Sequence, residues 1–211
     1  MTCLIKQVDN KIANTQAERH LVEKVINGDN HAFGTIIKNT QGLVGQIVFK
    51  LVPNSEDRKD IVQDIYLKAF HKLPGFKLQS KLSTWIGQIA WNTCINWLEK
   101  KKLVFPPVDD KTRETMGEPL ELLSNRSADV FDKEAEKDIF RKERAEILQS
   151  AIETLPPMYK TLVVLYHAEE LSYEELCQVT GLPEGTVKSY LFRARKMLKD
   201  HLLTNYKKEE L

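Results

Sequence analysis

An all-α protein of two small helical domains, joined by an acidic flexible linker, is what this sequence of 211 residues predicts. Three observations carry that expectation. Apolar residues recur at a spacing near 3.6 through two blocks of the chain. Between the blocks, residues 103–140 hold Pro106-Pro107, Pro119 and ten acids against five bases, with no sustained apolar pattern. Glycine (9) and proline (8) are scarce, which suits helices. With 42% apolar and 29% charged residues and a mean hydropathy of −0.39, the chain can build cores and stay in water. No run approaches the ~18 apolar residues of a membrane span. The start, MTCLIKQVDNKIANTQ, lacks an apolar block of signal-peptide length. Cys3, Cys94 and Cys177 are odd in number and form no CxxC, which speaks against a disulfide framework or a zinc site. Reducing cytoplasm is the expected compartment.

Residues 1–16 read as an N-terminal tail and 17–102 as the first domain. In 17–27, Leu21, Val22, Val25 and Ile26 form a stripe, and Gly28 is placed to stop the helix. A second stripe runs through Phe33, Ile36, Ile37, Leu43, Val44, Ile47, Val48 and Leu51. Pro53 ends it, and Ser55 can cap the next helix. From Asp60 to Leu73, positions 62, 65, 66, 69, 70 and 73 share one face. Pro74-Gly75 breaks the chain before a short basic loop, FKLQSK, over 76–81. A long helix runs from about Ser83 to Lys101, its inner face at 82, 86, 89, 90, 93 and 97.

Residues 103–138 read as the linker, turning helical near 130–140. As a flexible chain of this length it would span roughly 35 Å on average. The second domain, 139–205, opens with a helix from Ile139 to Leu155 and restarts at Pro156-Pro157 with an apolar helix over Tyr159–Tyr166. Ser172-Tyr-Glu-Glu175 is a capping box. Gly181 stops the helix it opens, and Pro183 begins a last one reaching about Leu203. Residues 206–211 form a C-terminal tail.

The net charge of +1 hides a division. Residues 65–102 hold seven basic residues and one acidic, and 183–199 hold five and one, while the stretch between is acidic. Two basic segments of this kind are the footprint of a polyanion partner. The helix, glycine turn and helix around Gly181 have the spacing of a helix-turn-helix. In its second helix Val187, Leu191, Ala194 and Leu198 share one face, leaving Lys188, Ser189, Phe192, Arg193 and Lys196 on or near the other. Lysine or arginine can donate to guanine edges in a major groove, and an apolar side chain can meet a thymine methyl.

LSYEELCQVTGLPEGTVKSYLFRARKML resembles the promoter-reading domain of bacterial extracytoplasmic-function (ECF) sigma factors, of the sigma-70 family, and LPPMYKTLVVLYHAEE resembles its leading helices. DIVQDIYLKAFHKLPGF followed by LSTWIGQIAWNTCINWLEKKK is similar to the domain that holds polymerase and reads the melted −10 element. The likeness covers roughly 17–102 and 140–203, most of the chain. It implies a subunit that binds core RNA polymerase and directs promoter recognition, DNA melting and transcription initiation. The partners it implies are the coiled coil of the largest polymerase subunit, the flap of the second-largest, promoter DNA and an anti-sigma factor.

The resemblance also assigns residues. Asp60, Gln63, Asp64 and Leu67, on the outer side of the 60–73 helix, would meet polymerase. Phe76, Lys77, Leu78, Gln79, Ser80 and Lys81 would hold single-stranded −10 DNA. Lys100 to Lys102 add phosphate contacts. Gln88 and Trp91 join the −10 set as a departure, since QIAWN stands where many relatives have RIARN. Trp91 falls on the side of its helix away from Leu82, together with Thr84, Gln88 and Ile95. Three things could cover its ring: the N-terminal helices, polymerase, or bases at the edge of the melted region. The −35 set is Glu184, Thr186, Lys188, Ser189, Phe192, Arg193 and Lys196.

His20, His31, His71, His167 and His201 show no metal-ligand spacing, and no phosphate loop, GxSxG or carboxylate pair stands out. No catalytic residue, metal or cofactor is therefore expected. Cys94 and Cys177 read as small buried apolar residues. A free-standing helix-turn-helix repressor or activator is the nearest rival. A DNA-modifying enzyme using the motif for targeting is the other.

Overall fold

The computed structural model of the protein describes residues 16–101 and 134–206, with side chains from residue 144 onward in the second stretch. Cys3, Lys102, most of the expected linker and nearly all of both tails lie outside the described residues. Helix fills the described chain, and none of it is strand.

Helix α1 covers 16–26, and Gly28, at φ +94°, takes the left-handed turn that ends it. Asp29 then caps α2 (Asn30–Leu51), its Oδ1 accepting from the amides of His31 at 2.9 Å and Ala32 at 3.1 Å. Helix α3 (Ser55–Lys72) begins five residues before the expected Asp60. Its cap is Asn54, which accepts from the Glu56 amide at 3.0 Å, in place of the expected Ser55. The buried face of α3 is Ile61, Ile65, Tyr66 and Ala69. Phe70, expected inside, is partly exposed and meets the edge of the Phe33 ring at 5.0 Å. A 3-10 turn, Leu73–Gly75, leads to the loop and then to α4 (Leu82–Lys100). Lys81 offers α4 no capping oxygen, so the Leu82 amide donates to Glu18 of α1 at 3.1 Å instead. Burial raises the Glu18 carboxyl, and the Leu82 amide and Lys81 oppose the shift.

The second unit begins with α5 (Glu134–Thr154), so the last residues of the expected linker are helical. Helix α6 (Pro157–His167) carries proline in its first turn, where a missing amide costs nothing. The capping box of α7 (Tyr173–Thr180) is formed in both directions: Ser172 Oγ accepts from the Glu175 amide at 3.2 Å, and Glu175 Oε2 from the Ser172 amide at 2.9 Å. Gly181, at φ +71°, closes α7 in the left-handed region, and α8 (Glu184–Asn205) starts after Pro183 with no side-chain cap.

The two units pack on one another: α2 lies against α6, and α4 against α7. One apolar cluster runs through both, from Val22 to Leu198. The contact is closest at Gly87 of α4, where a Cβ would stand 3.1 Å from Leu43 Cδ2 and 3.1 Å from Val179 Cγ2. Ion pairs link the units at their rim. Lys50 of α2 bonds Glu153 of α5, and Lys81 Nζ stands 2.8 Å from Glu175 of α7.

That packing overturns the single inner face expected of α4. Leu82, Ile86, Ile89, Ala90, Thr93 and Cys94 are buried as expected, but so are Thr84, Gly87 and Trp91. A helix covered on two sides shows no simple amphipathic pattern. Trp97, expected inside, is half-buried, with the Lys101 ammonium 5.5 Å from its ring centre. Burial pushes the Cys94 thiol up to about 12, which leaves it protonated and inert. Cys177 is half-buried.

Candidate nucleic-acid and polymerase interfaces

Three surfaces carry the residues singled out by the sequence. On α3, Asp60, Gln63, Asp64 and Leu67 are all exposed on the side away from Ile61 and Ile65. Leu67 is 58% exposed, an apolar side chain in a polar neighbourhood. Asp64 pairs with Lys68 one turn on at 2.6 Å, and Lys68 also donates to Thr93 Oγ1 of α4 at 3.4 Å. A cleft of about 500 Å³ runs beside Asp64 and Lys68 toward Asn96 and Lys100. The face thus offers carboxylate, amide and one apolar knob, a pattern that suits a basic helical partner.

The second surface is the loop after α3. A cleft of about 490 Å³ lies between this loop and α4. Phe76, Lys77, Gln79 and Ser80 line it from the loop, and Thr84, Trp85 and Gln88 line it from α4. The Phe76 and Trp85 rings lean together with centroids 4.9 Å apart. Aromatic rings, amides and a lysine around one cleft can stack a base, bond its edge and hold its phosphate. Leu78 stays outside the lining and holds φ at +56°, an unusual conformation for a side-chain-bearing residue. The loop's sharp bend is built there. Lys81 is drawn away to Glu175.

Trp91 must be corrected. It is 3% exposed, a core residue in this arrangement and not a surface ring ready to stack on DNA. The cause is the close seating of α4 between neighbours: Trp91 stands one turn beyond Gly87, which is pressed by Leu43 and Val179. Two cleft residues lie beyond the reach of the sequence pattern. Trp85 is given no role by the sequence motifs, and Gln178 comes from α7, about 90 residues away in sequence. Nothing in the local pattern could have assigned Gln178, because its place depends on how the two units meet. The Thr84 hydroxyl, in the same wall, is buried without a hydrogen-bond partner.

The third surface is α8. Val187, Leu191, Ala194 and Leu198 are buried, and Tyr190 joins them, edge-on to Tyr159 at 5.4 Å. Lys188, Phe192 and Lys196 are exposed, while Ser189, Arg193 and Thr186 are half-buried. Phe192 is 51% exposed. Glu184 pairs with Lys188 at 2.6 Å, and its hydrogen bond raises the lysine above its ordinary value. The Lys188 ammonium also lies 5.6 Å from the Tyr173 ring centre. The helix therefore presents a basic, partly apolar face with its first turn open, the form a major groove accepts.

The family model for Sigma-70 region 2 matches residues 36–104, and that for Sigma-70, region 4 matches 145–198. The chain is 33% identical to the ECF RNA polymerase sigma-E factor of Escherichia coli K12 over 182 residues, covering 84% of this chain and 90% of that one. It belongs to the ECF sigma factors. The sigma-E factor of Haemophilus influenzae is 29% identical over 90% of this chain and 98% of its own, and SigW of Bacillus subtilis is 30% identical over 86% and 94%. Among solved structures, CnrH in complex with the cytosolic domain of CnrY has a similar fold, at 20% identity and a TM-score of 0.58 over 90% of this chain and 99% of that one. The sigma factor RpoE bound to the anti-sigma factor NepR from Bartonella quintana gives 21% and 0.55 over 82% and 98%. As a sigma factor, the chain binds RNA polymerase and directs initiation at specific promoters; it is not a free-standing repressor. Its role is regulatory. No helix among the described residues is long and apolar enough to cross a membrane.

Proposed function

We propose that this sigma factor divides its work among the three surfaces. The outer face of α3, with Asp60, Gln63, Asp64 and Leu67, docks on the coiled coil of the largest polymerase subunit. The cleft between the loop and α4 takes single-stranded DNA of the −10 element: Phe76 and Trp85 stack, Gln79, Ser80 and Gln88 bond the base edge, and Lys77 and Lys81 hold phosphate. Helix α8 reads the −35 duplex through Lys188, Ser189, Phe192 and Arg193, with Lys196 on phosphate and Glu184 and Thr186 at the rim of the first turn. The second unit also meets the flap of the second-largest subunit. The polymerase supplies the chemistry, and this chain supplies position. It works in the cytoplasm, under the control of an anti-sigma factor.

The observation that carries this reading is the exposed Leu67 beside Asp64, on a surface separate from both basic ones. Titrating the full-length chain into core polymerase, and separately into promoter duplex, tests it. Tight binding to core and weak binding to duplex alone are expected. Tight sequence-specific duplex binding without core would overturn it.

A further inference from the structure

We propose that Glu18 of α1 is a positioning residue for the −10 loop. It caps α4 from 64 residues upstream and so sets where the far end of the loop stands when single-stranded DNA arrives. The inference rests on the cleft between that loop and α4 being the one that takes the −10 strand.

A helix start leaves its first amides without partners inside the helix, and a side-chain oxygen at the cap position ordinarily takes one of them. In α4 the first internal bond runs from the Trp85 amide to Lys81 O at 3.1 Å, so the amides of residues 82–84 must look elsewhere. The cap residue is Lys81, which has no oxygen in its side chain. Its ammonium is also the wrong sign for a helix start, where the aligned peptide dipoles favour negative charge. One side chain cannot be both the oxygen that caps the helix and the cation that holds phosphate. The chain separates the two tasks. Lys81 keeps an exposed cation at the end of the loop, paired with Glu175 in this arrangement, and Glu18 Oε2 accepts from the Leu82 amide at 3.1 Å. The carboxylate sits there against a penalty: burial raises it, and the Leu82 amide and Lys81 oppose the shift.

The rest of the loop shows why this bond matters. Its first residue, Phe76, is fixed twice, by its amide to Leu73 O at 3.0 Å and by its ring against Trp85. Leu78 makes the bend at φ +56°. Beyond the bend Gln79 and Lys81 are exposed and Ser80 is half-buried, and the Leu82–Glu18 bond ties this end to another helix of the first unit. Val22 and Val25 bury α1 in the core, so the tie is to a fixed body. A loop already in place binds without losing conformational freedom at that moment.

Hydrogen exchange of the full-length chain, followed by mass spectrometry, reads the cap directly. Glu18→Ala should speed exchange across 79–84 at least tenfold and leave the middle of α4 unchanged, with helical circular dichroism retained. Glu18→Gln keeps an acceptor oxygen and should stay within twofold of the wild type. The functional readout uses holoenzyme made with core polymerase, on a promoter recovered from a genomic template pool. With Glu18→Ala, permanganate reactivity of melted thymines should appear at least fivefold more slowly, while affinity for core and for the upstream element is unchanged. Lys81→Ser supplies a local cap, so adding Glu18→Ala to it should slow opening no further. Wild-type exchange and opening in Glu18→Ala would overturn the role. So would a Glu18→Gln chain as impaired as Glu18→Ala, or a Glu18→Ala effect undiminished in the Lys81→Ser background. If Glu18→Ala loses its helical signal, those last two comparisons decide. If the wild-type holoenzyme directs no transcription, the functional reading has failed, and the proposal with it.

Discussion

Gly87 of α4 and Val179 of α7 meet so closely that a Cβ at position 87 would stand 3.1 Å from Val179 Cγ2. The same Cβ would also crowd Leu43 of α2, so one glycine marks where three helices converge. Replacing it with leucine sets overpacking of ~1–3 kcal/mol against a gain of up to ~1 kcal/mol in helix propensity. Overpacking wins. Gly87→Leu should lower the melting temperature by about 3–8 °C, as thermal circular dichroism would read.

Trp91→Ala should cost about 3–5 kcal/mol, because a large buried ring leaves a cavity. Differential scanning calorimetry should show a fall well beyond ~5 °C. A variant that melts like the wild type but opens promoters slowly would return Trp91 to the DNA-contacting set.

Asp64→Lys with Leu67→Ala should abolish core binding and leave the helical signal intact. Both side chains are exposed, so no cavity opens. The lost Asp64–Lys68 pair is a surface i,i+4 contact worth under ~0.5 kcal/mol. Anisotropy with labelled polymerase and far-ultraviolet circular dichroism decide it together.

Lys188→Ala and Arg193→Ala should each cost about 1–3 kcal/mol in upstream-element recognition. Lys199→Ala, farther along α8, should weaken binding uniformly across sequences or hardly at all. Competition between promoter duplexes with intact and scrambled upstream elements separates the two behaviours.

The pH dependence has a definite sign. Hydrogen bonds from Lys160 and Lys50 hold the Glu153 carboxyl down at about 2. A lowered carboxylate contributes stability that is complete above its ordinary 4.5 and is lost as pH falls toward 2. The Glu153 side chain is 48% exposed, so screening limits the effect to about 1 kcal/mol or less. Glu153→Gln should therefore destabilise at pH 6, and the difference should shrink as pH drops below 4.5, measured by urea unfolding.

Much of this is legible in the sequence where the signal is local. The capping box at Ser172 and Glu175, the left-handed Gly181 and the inner face of α8 follow from spacing, because each is fixed by neighbours within one or two turns. The α3 cap lies one residue from the expected position because Asn54 and Ser55 are both good caps. The failures lie where distant parts meet. Periodicity assigns one buried face to a helix, and α4 is covered on more than one side, with α2 and α7 meeting it together at Gly87. Gln178 enters the loop cleft by the same route.

Start-site mapping in vitro tests the central claim most directly: a genomic template pool is transcribed with core polymerase alone, with the wild-type chain added, and with the Asp64→Lys, Leu67→Ala chain added. A discrete set of start sites should appear only with the wild-type chain, each preceded by a shared pair of upstream elements. No new start sites with the wild-type chain, or the same sites with the docking variant, would contradict the account.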